Sequence, residues 1–280
     1  MDQTDASVEL RWPQLADHHL AALQNAVGWI LAHYAVRGIF ACGSIIRGNP
    51  GPSSDFDIYV IHAAPERQRV QRRFDGVPAE IFVNPPAAVR SYFVAEHAAF
   101  RPITAHMLSQ GFVVLDRDPV VQTLRDEAAT WLAQAPPAWS DGQRIMARYL
   151  AADQLDNARD LLDTDPENAE LLLHDAVRAT VDILFKANGR YLPRGKEFIT
   201  AATHLDATAG DLLRALYHTR DLAERFRLAD ELGRHVLDAG GFFEWASQPE
   251  LFPLEEKTEI GDWEIGRVPV DVKSSNLLIS

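Results

Sequence analysis

The sequence predicts an α+β N-terminal domain, a small mixed sheet with flanking helices, followed by an all-α helical bundle. Three observations predict this fold class. The 280 residues suffice for two ordinary domains. Short β-branched and aromatic runs alternate with helical patterns only before residue 135. After the linker-like segment 135–138 (Ala-Pro-Pro-Ala), helical periodicity alone continues. We therefore expect domains at 1–136 and 139–280.

The elements of the first half follow from periodicity and from glycine and proline. Leu20, Leu23, Val27 and later apolar residues recur at steps of three and four, which predicts a helix over roughly 15–35. Apolar runs bounded by glycine, proline and polar residues predict strands over 36–42, 56–62, 79–83 and 112–116. The intervening segments predict helices over 87–99, 103–110 and 119–134.

The second half contains only helical patterns. Helices are predicted over 142–163, 166–188, 208–229 and 230–246, with no strand expected before the C-terminal tail.

Composition excludes several classes of protein. The apolar content of 47% and charged content of 24% are those of an ordinary globular protein, not of a disordered or fibrous one. Cys42 is the single cysteine, so no disulfide can form within the chain. No apolar stretch is long enough to span a membrane, and the N-terminal segment lacks a signal-peptide pattern. We expect a cytoplasmic protein without a membrane partner.

Charge argues against a nucleic-acid partner. The net charge is −13; residues 1–138 hold 14 acidic and 11 basic residues, and residues 139–280 hold 26 and 16. An acidic second half repels a phosphate backbone and attracts a cationic partner, although the same charge also keeps a protein soluble.

The segment that carries chemistry begins with Gly43-Ser44-Ile45-Ile46-Arg47-Gly48 and continues, ten residues after Ser44, with Asp55-Phe56-Asp57-Ile58. Carboxylates at i and i+2 of a strand point to the same face, so Asp55 and Asp57 can share one metal ion. Oxygen ligands of this kind suit Mg²⁺. The sequence therefore predicts a magnesium site at the start of this strand.

The flanking residues extend this site. Gly43 permits a tight turn out of the preceding strand, and Ser44 then presents a hydroxyl and an amide that can cradle phosphate. Arg47 lies one turn later and can reach the same anion. Glu80 begins the following predicted strand, where it can serve as a third metal ligand or as the base that takes a proton from an acceptor hydroxyl.

These residues resemble the nucleotidyltransferase superfamily that includes DNA polymerase β and the aminoglycoside nucleotidyltransferases. The likeness rests on Gly43-Ser44, Asp55-Phe56-Asp57 and Glu80, with Arg47-Gly48 matching a bacterial form of the first motif. Ile45 replaces an arginine that many relatives carry. The resemblance implies transfer of a nucleoside monophosphate from an NTP, most commonly ATP, with release of pyrophosphate. It also implies a phosphate contact for Lys196, for which an exposed position in a Pro/Gly-rich turn is the alternative.

Two clusters in the second half have open interpretations. Four aspartates at steps of three, four and three predict one acidic helix face, which is either solvated or the wall of a cleft for a cationic acceptor: Asp153, Asp156, Asp160 and Asp163. Asp175, Arg178 and Asp182 share a face of an apolar helix and either form a site or pair with one another.

The sequence thus predicts an Mg²⁺-dependent nucleotidyltransferase. Its substrates would be an NTP and a small acceptor, such as an aminoglycoside, bound between the domains. An enzyme that nucleotidylylates protein or RNA, as antitoxin-type relatives do, and a catalytically silent nucleotide-binding protein are the alternatives. Labelled nucleotide on macromolecules rather than on small molecules would support the first alternative.

Overall fold

The computed structural model of the chain describes residues 9–247 and 249. A five-stranded sheet lies in the first half, with strand order β3-β4-β2-β1-β5, and α-helices make up the second half. The first-half elements are α1 (Asp17–His33), β1 (Val36–Cys42), α2 (Gly43–Ile46), β2 (Phe56–His62), β3 (Gln68–Phe74), β4 (Val77–Asn84), α3 (Pro86–Ala98), α4 (Ile103–Gln110), β5 (Phe112–Asp116) and α5 (Pro119–Ala133). The second-half helices are α6 (Asp141–Asp160), α7 (Pro166–Ala187), α8 (Phe198–Leu205), α9 (Ala207–His218) and α10 (Leu222–Leu237).

The sheet is mixed, as predicted. β2 and β4 run parallel, whereas β1 pairs antiparallel with both β2 and β5, and β3 pairs antiparallel with β4. These directions bring the end of β1 and the starts of β2, β4 and β5 to the same edge of the sheet.

Successive residues of each strand point to opposite faces of the sheet, and an apolar core covers each face. Ile39, Ile58 and Ile81 belong to a core that packs against α1. Phe40 and Tyr59, their neighbours in sequence, belong to a second core with α3, α4 and α5. By the same alternation, Asp55, Asp57 and Glu80 lie on this second face.

The second half packs its helices around a separate apolar core, which includes Leu173, Val181 and Leu213. Ser140 begins α6 with a capping box, in which its hydroxyl accepts from the amide of Gln143. The predicted linker is the loop between α5 and α6. One compact unit, Met1–Trp245, carries all of these elements, and only a few residues of the second unit, Ala246–Ser280, are described. The domain boundaries at 136 and 139 stay a prediction.

The prediction missed strand β3. Its sequence, QRVQRRF, is mostly exposed and contains three arginines. An edge strand tolerates such residues, but they give no apolar alternation from which to predict a strand. Asp75 and Gly76 close the β3–β4 hairpin with φ values of 48° and 81°. Two positive φ angles in a two-residue loop are typical of the Asp-Gly hairpin turn.

The predicted helix boundaries after residue 190 were wrong. The chain forms α8 where no helix was predicted, and α9 ends at His218 rather than continuing to 229. Asp221 then starts α10 by accepting a hydrogen bond from the amide of Ala223, and α10 ends at Leu237 rather than at 246. Helix 142–163 also ends earlier, at Asp160. The expected tail strand lies outside the described residues.

In the part of the chain that the structure describes, none of the helices combines the length and the apolar character that crossing a bilayer requires.

Candidate active site

Three carboxylates converge where β2 and β4 begin. Asp57 and Glu80 are direct register partners on these parallel strands, and Asp55 lies just before β2. Carboxylate oxygens of Asp55, Asp57 and Glu80 lie within 4.8 Å of one another, and all three residues are half-buried. The structure thus brings together the three acidic residues that the sequence predicted.

The turn at Gly43 fits closely against Asp57. Gly43 has φ +93°, a conformation that side chains rarely adopt, and a Cβ atom there would lie 2.9 Å from Asp57 Oδ2. It would also lie 3.3 Å from the carbonyl oxygen of Asp55. Glycine is therefore required both by the backbone and by the space that the carboxylates occupy.

Ser44 connects the turn to the loop that precedes Asp55. The hydroxyl groups of Ser44 and Ser54 are hydrogen-bonded at 2.7 Å, and Ser54 Oγ accepts from the amide of Gly51 at 2.8 Å. The amide of Asn49 donates to the carbonyl of Ser44 at 3.1 Å. Ser44 thus holds the loop in place from both its side chain and its backbone.

The pKa of Asp57 is perturbed first by burial and then by the neighbouring charges. Burial, followed by the charges of Asp55 and Glu80, raises the pKa of Asp57 to about 6, although Arg47 and Arg194 oppose the shift. A bound cation would relieve this repulsion.

Cationic groups approach the carboxylates from several elements. Arg47, which directly follows α2, is exposed and close enough to act on Asp57. Arg194 approaches from the segment between α7 and α8, and its Nη2 contacts His106 Nε2 at 2.5 Å. Burial, then Arg194 and Arg47, lower the pKa of His106, which favours the neutral imidazole that this contact requires.

Sequence reasoning missed Arg194 and Arg69. Arg194 precedes the predicted Lys196 by two residues. Arg69, on β3, forms an ion pair with Glu80 and lies over the ring of Phe82, 5.1 Å from its centroid. The Glu80 carboxylate raises the pKa of Arg69, mainly through this hydrogen bond. The Asp75-Gly76 turn was the available signal, because it predicts a hairpin partner for the strand of Glu80.

The remaining predicted binding residue, Lys196, is exposed in the short 3-10 helix Gly195–Glu197. Within the described chain its side chain makes no ion pair, and its contact with phosphate stays a prediction.

The predicted acidic face is only partly available to an acceptor. Asp163 lies beyond the end of α6, and Asp153 and Asp160 are exposed. Asp156 instead forms an ion pair with Arg159 and accepts a hydrogen bond from the amide of Phe242 at 2.6 Å. One of the four aspartates therefore serves the packing of the second half.

The second acidic cluster forms an internal ion pair. Arg178 Nε lies 3.5 Å from Asp182 Oδ1, and the Arg178 guanidinium lies 4.2 Å from the centroid of Phe198. Burial raises the pKa of Asp182, while Arg178 and Lys186 oppose the shift. Asp175 is exposed on the same helix. The pairing interpretation is thus the one that the structure supports.

Cys42 is buried at the end of β1, and its thiol donates to the carbonyl oxygen of Met107 at 3.2 Å. Burial raises the pKa of the Cys42 thiol to about 12, so this residue does not supply a thiolate nucleophile at neutral pH.

The three carboxylates fit a magnesium ion. Their donors are oxygens alone, which Mg²⁺ prefers, at ligand distances of about 2.1 Å. Ligands of one such ion lie at most about 4.2 Å apart, so small side-chain rotations suffice from the observed separation of up to 4.8 Å. The pKa of Asp57, raised first by burial and then by the charges of Asp55 and Glu80, is a second sign of a cation site.

Comparison with known proteins yields distant structural likenesses. No family model matches the chain, and no curated protein matches it. Among solved structures, it is similar to a nucleotidyltransferase-like protein from Exiguobacterium sibiricum 255-15, with 16% identity and a TM-score of 0.45. The match covers 78% of this chain and 73% of that one. The carboxylate geometry, and not this likeness, carries the functional inference.

Proposed function

We propose that this protein is an Mg²⁺-dependent nucleotidyltransferase, which moves a nucleoside monophosphate from an NTP to an acceptor hydroxyl and releases pyrophosphate. The observation that carries the proposal is the convergence of Asp55, Asp57 and Glu80 within 4.8 Å, beside the Gly43 turn.

Asp55, Asp57 and Glu80 would hold the metal, which supplies Lewis-acid stabilisation of the charge that develops on the phosphoryl oxygens. In the transfer, the acceptor oxygen forms a bond to the α-phosphorus as the bond to pyrophosphate breaks. Glu80 would take the hydroxyl proton, and the hydrogen bond that Arg69 donates would orient its carboxylate. If Glu80 is instead a third ligand only, solvent takes that proton.

The triphosphate would lie against Gly43, Ser44 and Arg47, with Lys196 as a further contact. Arg194 joins this set because it acts on Asp57 from the opposite half of the chain. Arginine donors match phosphate oxygens in geometry and charge. ATP is proposed as the NTP on the basis of the resemblance described above.

The proposed acceptor is a small molecule, cationic as an aminoglycoside is, bound between the two halves. Its support is the excess of acidic residues in the second half, with Asp153 and Asp160 exposed.

The test measures binding and transfer in the same preparations. Thermal unfolding with Mg²⁺ and a non-hydrolysable ATP analogue compares wild type, Asp55→Asn and Glu66→Gln, an exposed acid outside the triad. Saturation at roughly a hundred times the Kd stabilises the folded state by about 2.7 kcal/mol. We expect this shift in wild type and Glu66→Gln, and its loss in Asp55→Asn.

Transfer is followed with α-labelled NTPs, Mg²⁺ and a panel of aminoglycosides, and pyrophosphate release is measured in parallel. Label on protein or RNA instead of a small molecule would favour the macromolecular acceptors. Absence of both a thermal shift and pyrophosphate release with all four NTPs would contradict the proposed function.

A further inference from the structure

A groove of about 450 Å³ opens on the β5 side of α2. It lies at the edge of the sheet where the carboxylates lie, because β5 begins opposite the end of β1. Three arginines line it, Arg11, Arg47 and Arg125, and this surface is called the arginine groove below. Gln110 and the apolar residues Ile46 and Phe112 form other parts of its wall.

Each arginine reaches the arginine groove from a different element, so the cluster is a product of the fold. Arg11 precedes α1, and its backbone amide donates to the carbonyl of Val114 in β5 at 2.9 Å. Arg47 follows α2 directly, and Arg125 lies in α5, where it is half-buried. No stretch of sequence is basic enough to have indicated such a cluster.

The arginine groove has no counter-charge of its own. No acidic residue of the described chain lines it, and none forms an ion pair with Arg11, Arg47 or Arg125. By contrast, three other arginines of the first half, Arg37, Arg69 and Arg90, pair with Asp118, Glu80 and Glu127. Three like charges around one concave surface, in a chain of net charge −13, favour binding of an anion.

We propose that the arginine groove binds a phosphate-bearing anion. Guanidinium groups donate paired hydrogen bonds that match phosphate oxygens, and the Gln110 amide offers a further donor. The volume is within the range of small-ligand sites. Arg47 also acts on Asp57, so the arginine groove and the carboxylate site adjoin.

The role of this anion in catalysis rests on the proposed function. The phosphate either belongs to the NTP, as its terminal phosphates and the departing pyrophosphate, or to the acceptor. The second case would make the acceptor anionic.

The test is calorimetric titration of the full chain with pyrophosphate in EDTA, which keeps the carboxylate metal site out of the measurement. We expect wild type to bind, and Arg11→Gln/Arg125→Gln to bind at least about tenfold more weakly. Arg220→Gln, an exposed arginine after α9, makes the same charge change elsewhere and should leave the affinity unchanged. Arg11→Gln alone, at an exposed position, provides the same comparison if the double variant does not fold. No binding by wild type, or equal affinity in wild type and the Arg11 variants, would overturn the proposal.

A second titration, with Mg²⁺ and the ATP analogue, separates the two sources. If the phosphate is that of the NTP, the double variant binds the analogue more weakly and pyrophosphate competes with it. If the phosphate belongs to the acceptor, pyrophosphate and the analogue bind at the same time without competing. Pyrophosphate binding in EDTA, together with neither a thermal shift nor pyrophosphate release with any NTP, would refute the proposed function and leave the arginine groove standing. Transfer without pyrophosphate binding would refute the arginine groove alone.

Discussion

Asp57 and Glu80 face each other across the parallel strands β2 and β4, one register position into the pairing. Their carboxylates, with that of Asp55, form a concentrated negative charge, which the fold offsets with Arg69, Arg47 and Arg194. Several consequences of this arrangement can be measured.

Replacement of Asp57 by Asn should abolish transfer while the fold stays intact. The variant keeps the shape of the side chain but loses a metal-binding charge, so we expect kcat/KM to fall by at least about a hundredfold. Steady-state pyrophosphate release and circular dichroism provide the two measurements. Wild-type turnover in a folded Asp57→Asn variant would remove Asp57 from the site.

The same substitution should stabilise the apo protein at neutral pH. The pKa of Asp57 is raised to about 6 from its ordinary value of 3.8, so the folded state binds its proton more tightly than the unfolded state does. The free energy of unfolding therefore falls as pH rises between these two values, and the loss persists above them. Asp57→Asn removes this loss, which we expect to be worth about 1 to 3 kcal/mol after solvent screening.

Thermal unfolding from about pH 4 to pH 8 checks this linkage. The wild-type and variant curves should diverge as pH rises from about 4 to about 6, stay apart above that pH, and approach each other when Mg²⁺ is added to wild type. Metal binding itself should weaken below that pH, because protonation of Asp57 removes a ligand charge. An Asp57→Asn variant less stable than wild type at neutral pH would contradict the raised pKa of Asp57.

Gly43→Ala should cost more than Gly48→Ala. Both glycines have positive φ, +93° and +78°, so both substitutions strain the backbone by about 1 kcal/mol. At Gly43 the new Cβ would lie 2.9 Å from Asp57 Oδ2, whereas a Cβ at Gly48 would have no neighbour within 4 Å. We expect Gly43→Ala alone to weaken Mg²⁺ binding. Chemical denaturation and Mg²⁺ titration compare the pair, and equal losses would mean that backbone strain explains both.

Arg69→Gln should strengthen Mg²⁺ binding. Arg69 competes for the Glu80 carboxylate, and its removal makes the site more negative, so we expect a few-fold lower Kd for the metal. The side chain is 59% exposed, so the stability should change by less than about 1 kcal/mol. Arg73→Gln, on the same strand but without a carboxylate partner in the described chain, is the matched control. Similar affinities for both variants would show that the pair has no influence on the metal.

Asp156→Asn should destabilise the protein, unlike Asp160→Asn. Asp156 pairs with Arg159 and accepts from the amide of Phe242, so we expect a loss of about 1 to 3 kcal/mol. Asp160 is exposed, and its replacement should stay within about 0.5 kcal/mol. Denaturant unfolding measures both. If the two variants were equally stable, Asp156 would have no structural role and the acidic face would regain its fourth member.

The sequence predicted the convergence of the three carboxylates because its determinants are local. Asp55 and Asp57 share a strand face by spacing alone, and only one guess was needed, that the strand of Glu80 is a neighbour of β2; the register Asp57–Glu80 agrees with it. Strand β3 escaped prediction because an exposed edge strand needs no apolar alternation.

The cationic surroundings could not be predicted in this way. Arg11, Arg125 and Arg194 come from segments that are distant in sequence and that only tertiary packing brings to one edge of the sheet. Lys196 was inferred from the resemblance, and the observed neighbour of the carboxylates is Arg194. The position of Asp156 along α6 likewise does not reveal that the amide of Phe242, which follows α10, donates a hydrogen bond to it.

The contact of Arg194 with His106 has a practical consequence. Since the segment after α7 supplies a charge to the carboxylate site, a gene truncated at the loop between α5 and α6 would encode the carboxylates without Arg194. Two separately expressed fragments divided at that loop would bring Arg194 back to Asp57 only on reassociation. Under the proposed function, a split reporter divided there would give a signal only when two fusion partners reunite the fragments.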